Sequence, residues 1–174
     1  EPASTNLASY FIITGQQASS GAGEAAFVRV EVDGSIRVAI GDVGSGQGYE
    51  TAVAQVVADV FGVGVEQVRV APEFDTNSSP WMYFSGNYAN KFSTTDVTAI
   101  LDAAEQVKAK IRQIAAHLLE AEPDDIELEG GRAYVRGSQD RFKTIREVAA
   151  VAYRNLLMLP PGVTPGLEAR SYVS

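Results

Sequence analysis

Cysteine is absent from the sequence and histidine occurs once, so disulfides, thiolate metal sites and imidazole-rich metal centres are excluded. Any metal this chain serves must be held by something other than such side chains. Basic residues are scattered: no run of Lys and Arg offsets a formal net charge of −8. A nucleic-acid partner is therefore not expected, because duplex binding leans on basic phosphate contacts. Loose membrane association is disfavoured for the same reason. No apolar run approaches the length of a membrane span, and no charged stretch leads into an apolar one as in a signal peptide; the expected location is cytoplasmic. No methionine opens the chain, which runs from Glu1 to Arg170-Ser171-Tyr172-Val173-Ser174. These ends read as a piece of a longer polypeptide, with residues 1–174 forming one domain large enough for a real core.

Against these absences stands one informative stretch, Gly44-Ser45-Gly46-Gln47-Gly48-Tyr49-Glu50-Thr51. Glycines at alternate positions let the backbone bend sharply and bring its N–H groups close to a ligand. Val53, Val56, Val57, Val60 and Phe61 then recur at helical spacing. A glycine turn that opens a helix suits a phosphate, a pyrophosphate or another oxyanion. The same turn also suits a plain strand-to-helix junction, where glycine serves geometry alone. Gln47 favours the ligand reading, because an amide between glycines has little packing to do but offers donors and an acceptor; the Thr51 hydroxyl adds to it. No lysine follows the glycines, so this is not a P-loop. The spacing is not that of a dinucleotide fingerprint either.

The rest of the chain reads as strands mixed with about three helices. Tyr10-Phe11-Ile12-Ile13-Thr14 is a candidate strand. Phe27 to Val32, the turn Asp33-Gly34 and Ile36 to Ile40 make a hairpin that delivers the chain to the glycine loop. Helix 50–61 closes at Gly62, and Val65 to Val70 is a further strand. An apolar stripe from Val97 through Leu101, Val107 and Ile114 to Leu119 marks a long helix ended by Pro123. Ile126 to Val135, turning at Gly130-Gly131, is a second hairpin, and Thr144-Ile145-Arg146-Glu147 is a capping box for a helix to about Tyr153. From Leu159-Pro160-Pro161-Gly162 to Pro165-Gly166 the chain runs irregularly over the surface. The fold class is α+β in two layers, with a mixed sheet.

Other candidates carry less chemistry. Asp75-Thr76-Asn77-Ser78-Ser79-Pro80 is rich in turn formers and suits a self-capped loop. Trp81, Met82, Tyr83, Phe84, Tyr88 and Phe92 are too many large apolar groups for a solvated loop and should pack against a partner domain or a cofactor. His117 falls on the polar face of the long helix, and Asp124, Asp125, Glu127 and Glu129 suit the solvent side of a hairpin better than a metal site. No nucleophile stands beside a base; no catalytic residue is assigned.

Gly46-Gln47-Gly48, Glu50-Thr51, Ala54-Gln55 and Ala58-Asp59 together closely resemble the molybdenum hydroxylases, in the molybdopterin-binding large subunit of the xanthine dehydrogenase, aldehyde oxidase and aerobic carbon monoxide dehydrogenase group. The resemblance covers nearly the whole chain. Thr14-Gly15, Gly23-Glu24, Val28-Arg29-Val30 with Asp33-Gly34, and Asp75-Thr76-Asn77 with Pro80 are similar to that family's segments. Ile114 to Glu120 and Pro165 to Ala169 are most similar to the carbon monoxide dehydrogenase-like branch. Where the family commonly has Gly-x-Gly-Ser-Arg-Ser, this chain has Ser85 to Phe92, with Lys91 nearest the arginine.

The resemblance implies a molybdenum-cofactor-binding portion of an oxidoreductase that oxidises an aldehyde, an N-heterocycle or carbon monoxide with water-derived oxygen. The cofactor's own dithiolene sulfurs would hold the molybdenum, which agrees with the absence of protein ligands. The cofactor would be molybdopterin in its cytosine dinucleotide form. Gly46, Gln47, Gly48 and Thr51 are the cofactor-binding candidates. Implied partners are the rest of the large subunit, iron–sulfur and FAD subunits or domains, and a small-molecule substrate. The family's catalytic glutamate and its Gly-Gly-x-Phe-Gly segment lie outside this region, so this stretch alone would be inactive. The rival reading is a cofactor-free scaffolding or assembly domain of the same fold.

Overall fold

A computed structural model describes residues 23–42, 44–71, 79–82, 85–86 and 91–173. The strand expected at Tyr10 to Thr14, the Asp75-Thr76-Asn77 loop, and the side chains of Tyr83, Phe84 and Tyr88 lie outside the described residues.

Strands β1 (Glu24–Val30) and β2 (Ile36–Ile40) form the expected antiparallel hairpin, with Val28 opposite Val38. Its turn is made by Asp33, whose Oδ1 accepts from the Ser35 N–H at 2.9 Å and the Ser35 hydroxyl at 2.6 Å, while Gly34 takes the left-handed φ of 88°. The alternation puts Val28, Val30, Ile36, Val38 and Ile40 in the core and Arg29 and Arg37 on the opposite face.

Helix α1 (Tyr49–Phe61) buries Val53, Ala54, Val57, Ala58 and Phe61, one stripe at spacings of three and four. Gly62, at φ 62°, closes it with its N–H on the carbonyls of Ala58 and Asp59. The expected strand 65–70 divides: Val65–Gln67 is one 3-10 turn, and only β3 (Val68–Val70) is extended, parallel to β2. Val65 is exposed, so the apolar run does not alternate between two faces there.

Helix α2 (Asp96–Leu119) packs across β1 and along α1, burying Ala99, Ile100, Ala103, Ala104, Val107, Ile111 and Ile114. Leu101, expected inside the stripe, stands on its exposed edge. The helix stops at Glu120, in the left-handed region at φ 51°, before Pro123 opens a 3-10 turn.

Strands β4 (Ile126–Glu129) and β5 (Arg132–Val135) are the second expected hairpin. A third strand, β6 (Ser138–Thr144), extends it. Gln139, Asp140, Arg141 and Phe142 are all exposed, so β6 carries no apolar alternation to mark it in the sequence. Helix α3 (Ile145–Arg154) starts on the expected capping box: Thr144 Oγ1 accepts from the Glu147 N–H at 3.1 Å, and Glu147 Oε2 accepts from the Thr144 N–H at 2.8 Å. Thr144→Ala is expected to cost about 1 kcal/mol, read as a lower urea midpoint with an unchanged slope.

A last strand, β7 (Glu168–Val173), pairs antiparallel with β1 and was not marked by any pattern. The main sheet therefore runs β3-β2-β1-β7 and is mixed, beside a three-stranded antiparallel sheet β4-β5-β6. The α+β class, the mixed sheet, both hairpins and the three helices agree with the sequence reading. No helix among the described residues is long and apolar enough to cross a membrane.

Candidate functional site

The chain leaves the core at the end of β2 and forms an exposed loop over Ser45 to Gly48 before entering α1. Gly46 and Gly48 have φ of 96° and 79°, conformations that L side chains rarely adopt. No atom lies within 4 Å of where a Cβ would sit on either residue, so the space beside both is open to a ligand. Gly48 is the N-cap of α1 and has no side-chain oxygen to offer the first-turn N–H groups. Gln47 turns its amide back on the loop: Oε1 accepts the Ser45 N–H at 2.6 Å, and this leaves the Nε2 donors for another group. Thr51 is exposed in the first turn of α1. Loop and turn thus present the donors of Gly46, Gln47, Gly48 and Thr51 on one stretch of surface. One carboxylate competes with an incoming anion: Glu50 also lies in the first turn, with Oε1 3.3 Å from the Cβ position of Gly44.

The aromatic segment after Pro80 meets this site from the side. Phe92 stacks on Tyr49, the first residue of α1, with ring centroids 4.2 Å apart and planes at 17°. Met82 packs where a side chain on Gly23 would be, and Trp81 remains 53% exposed.

Below the loop lies a buried ionic cluster that the sequence reading did not find. Lys91 Nζ donates to Glu24 Oε2 at 2.5 Å and to Asp96 Oδ2 at 3.2 Å, with all three side chains buried. Glu24 Oε1 also accepts from its neighbour Ala25 N–H at 2.8 Å and from the Ser85 hydroxyl at 2.7 Å. Asp96 Oδ2 takes the Thr95 hydroxyl at 3.2 Å, whereas its Oδ1 has no hydrogen-bond partner among the described residues. Burial raises the Asp96 carboxyl to about 6, helped by the charges of Glu24 and Asp42 and opposed by Lys91. Burial alone would lower the Lys91 ammonium, but its bonds and charges with Glu24 and Asp96 outweigh this and raise it. Lys91, aligned with a family arginine by position, is thus a buried counter-charge rather than an exposed ligand contact.

The cluster ties the base of the glycine loop to the start of α2. Gly41, three residues before Gly44, is required by close approach: a Cβ there would lie 2.2 Å from Glu24 Oε1, 2.7 Å from Ser85 Oγ and 2.8 Å from the Pro80 carbonyl. Gly41→Ala is accordingly expected to destabilise by about 1–3 kcal/mol, seen as a lower thermal midpoint. Glu24 and Lys91 are 67 residues apart, and neither periodicity nor a motif links them. The available signal was an acid opening the apolar run Ala25 to Val28.

The remaining candidates are accounted for locally. His117 is exposed in the last turn of α2. Glu127 and Glu129 both accept the Tyr134 hydroxyl, at 2.9 and 3.3 Å, and Arg136 bonds Glu127 at 2.8 Å. The bonds from Arg136 and Tyr134 hold the Glu127 carboxyl below its usual range. Among the described residues no group of three or more His, Cys, Asp or Glu could hold a metal ion. The donor set of the loop, made of backbone N–H groups, an amide and a hydroxyl, fits a phosphate-bearing ligand that brings its own metal ligands.

Comparison with known proteins shows the family. The family model described as a molybdopterin cofactor-binding domain matches residues 4–174. The carbon monoxide dehydrogenase large chain of Afipia carboxidovorans is 35% identical over 149 residues, which is 86% of this chain and 18% of that protein. The large chain from Hydrogenophaga pseudoflava is 37% identical over 145 residues, 83% of this chain and 17% of the relative. The crystal structure of quinoline 2-oxidoreductase from Pseudomonas putida 86 superposes with a TM-score of 0.79 at 32% identity, covering 87% of this chain and 19% of that one. The chain therefore spans less than a fifth of the length of these relatives. With the family model matching almost end to end, the chain belongs to the molybdopterin cofactor-binding domain family of the molybdenum hydroxylases, on the side of the carbon monoxide dehydrogenase large chains.

Proposed function

We propose that the loop Gly44 to Thr51 holds the phosphates and pterin of the molybdenum cofactor, in its cytosine dinucleotide form, within a hydroxylase that oxidises a small substrate. The observation that carries this reading is the pair of left-handed glycines, Gly46 and Gly48, open to solvent at an uncapped helix N-terminus. When bound, the cofactor supplies the molybdenum centre that accepts electrons from substrate. The chain's own part is to bind and orient. Backbone N–H groups at the start of α1 donate to phosphate oxygens, Gln47 Nε2 donates laterally, and Thr51 adds a hydroxyl. The buried Glu24–Lys91–Asp96 cluster and the Tyr49–Phe92 stack hold that turn in place from below and from the side.

The relatives named above support carbon monoxide or an N-heterocycle as the small substrate; an aldehyde, and oxygen taken from water, belong to the same proposal. Their length supports contact with the rest of a large subunit; iron–sulfur and FAD partners and a cytoplasmic location are part of the same proposal. A cofactor-free scaffold of the same fold is the second reading, and Glu50 favours it, because a carboxylate in the first turn disfavours a bound anion there.

The two readings separate on cofactor content. Gln47→Ala is expected to reduce bound molybdenum and acid-released cytosine nucleotide at least about fivefold, the loss of one hydrogen bond to a charged group, with an unchanged circular dichroism spectrum. Equal and low content in both proteins, with both folded, would leave the scaffold reading standing.

A further inference from the structure

The fold gathers arginines that are scattered in the sequence. Arg37 on β2 and Arg69 on β3 are directly paired in the parallel register, side by side on the face away from the helical core. On α3, Arg146, Ala150 and Arg154 follow at intervals of four and so share one helix face, with the small Ala150 leaving room between the two guanidinium groups. These residues line one open groove of about 800 Å³, at the Asp33 turn end of β2 rather than the glycine-loop end.

Like charges placed directly opposite one another in a sheet are destabilising. The next arginine along the same row shows how such a charge is normally balanced. Arg29, paired with Arg37 in register, has Glu31 at 3.4 Å, Glu168 at 3.8 Å and the Tyr153 ring at 5.6 Å. The side chains of Arg37, Arg69, Arg146 and Arg154 have no hydrogen bond or ion pair among the described residues. The groove's two carboxylates do not supply one: Asp33 is bonded to Ser35, attracting Arg69 only at longer range, and Glu31 pairs with Arg29. In a chain of net charge −8, this is a local reversal of sign.

We propose that this groove docks an acidic polypeptide segment, whose Asp or Glu side chains pair with Arg37, Arg69, Arg146 and Arg154. Three features favour a peptide over a small polyphosphate. The groove is open rather than enclosing, its floor is partly apolar through Val32, Val70 and Ala150, and Glu31 and Asp33 repel a compact dianion more than spaced single carboxylates. Relatives more than four times as long provide further polypeptide to meet this face.

The test uses the purified protein and a fluorescein-labelled decapeptide of alternating glutamate and alanine. Anisotropy is expected to show saturable binding that Arg37→Gln/Arg69→Gln weakens at least about tenfold, the loss of charge pairs at a docking surface. Both residues are exposed, so the variant keeps its circular dichroism spectrum. If the groove is already covered in the purified protein, Arg37→Lys and Arg69→Lys reveal the occupant. A carbodiimide then joins the new lysine amine to a docked carboxylate as an amide, with loss of water, and mass spectrometry identifies the segment. Arginine-dependent peptide binding, or a cross-link to an acidic segment other than Glu31 and Asp33, supports the proposal. Neither result, or inorganic pyrophosphate binding more tightly than the peptide with the same arginine dependence, overturns it.

Discussion

Lys91→Met is expected to cost about 3–5 kcal/mol of folding stability, because it leaves buried carboxylates without their counter-charge. Methionine keeps the apolar stem and most of the volume, so the loss reports the ammonium rather than a cavity. Glu24 would retain the Ala25 N–H and the Ser85 hydroxyl, but no cation among its described neighbours. Urea unfolding should show the loss as a lower midpoint, and the loss should shrink in acid as Asp96 takes up a proton. Glu24→Gln in the same background should restore part of it, giving a coupling energy for the pair. A change smaller than about 1 kcal/mol, within the usual range for an exposed ion pair, would contradict the buried-cluster account.

Asp96 gives the second large effect, in stability against pH. Its carboxyl is raised from an ordinary 3.8 to about 6, chiefly by burial and then by the charges of Glu24 and Asp42. The folded state therefore binds this proton more tightly than the unfolded state. The resulting stabilisation is fully present below about pH 4 and is lost as pH rises through 6. A shift of this size corresponds to about 3 kcal/mol across the window. Asp33, Glu127, Asp140 and Glu147 act in the opposite sense, since their lowered carboxyls lose stabilisation as pH falls. The difference between wild type and Asp96→Asn isolates the group. Wild type should lose stability relative to the variant between about pH 4 and 6. Parallel profiles for the two proteins would rule out a titrating Asp96.

The same cluster marks the boundary of what could be read from the chain. Periodicity placed α1, the long α2 and both hairpins, because each buries one face and exposes the other. The capping box was legible because Thr144 and Glu147 act within one turn. Strand β7 was not, since Glu168 to Val173 has its meaning only against β1, more than a hundred residues earlier. Strand β6 was missed because it is solvated along most of its length. At the site, local chemistry pointed to Gly46, Gln47, Gly48 and Thr51, and the fold sets them on one exposed turn. The Glu24–Lys91 pair and the Arg37–Arg69 register depend on tertiary placement, so no local pattern could announce them.

The most direct test of the cofactor-holding role is hydrogen–deuterium exchange on the protein loaded with molybdenum cofactor and on the same protein stripped of it. The account predicts protection on loading centred on residues 44–52, the glycine loop and first turn of α1, with little change in β4, β5 and β6. A loaded protein whose protection falls elsewhere, with the 44–52 amides exchanging at the stripped rate, would contradict it.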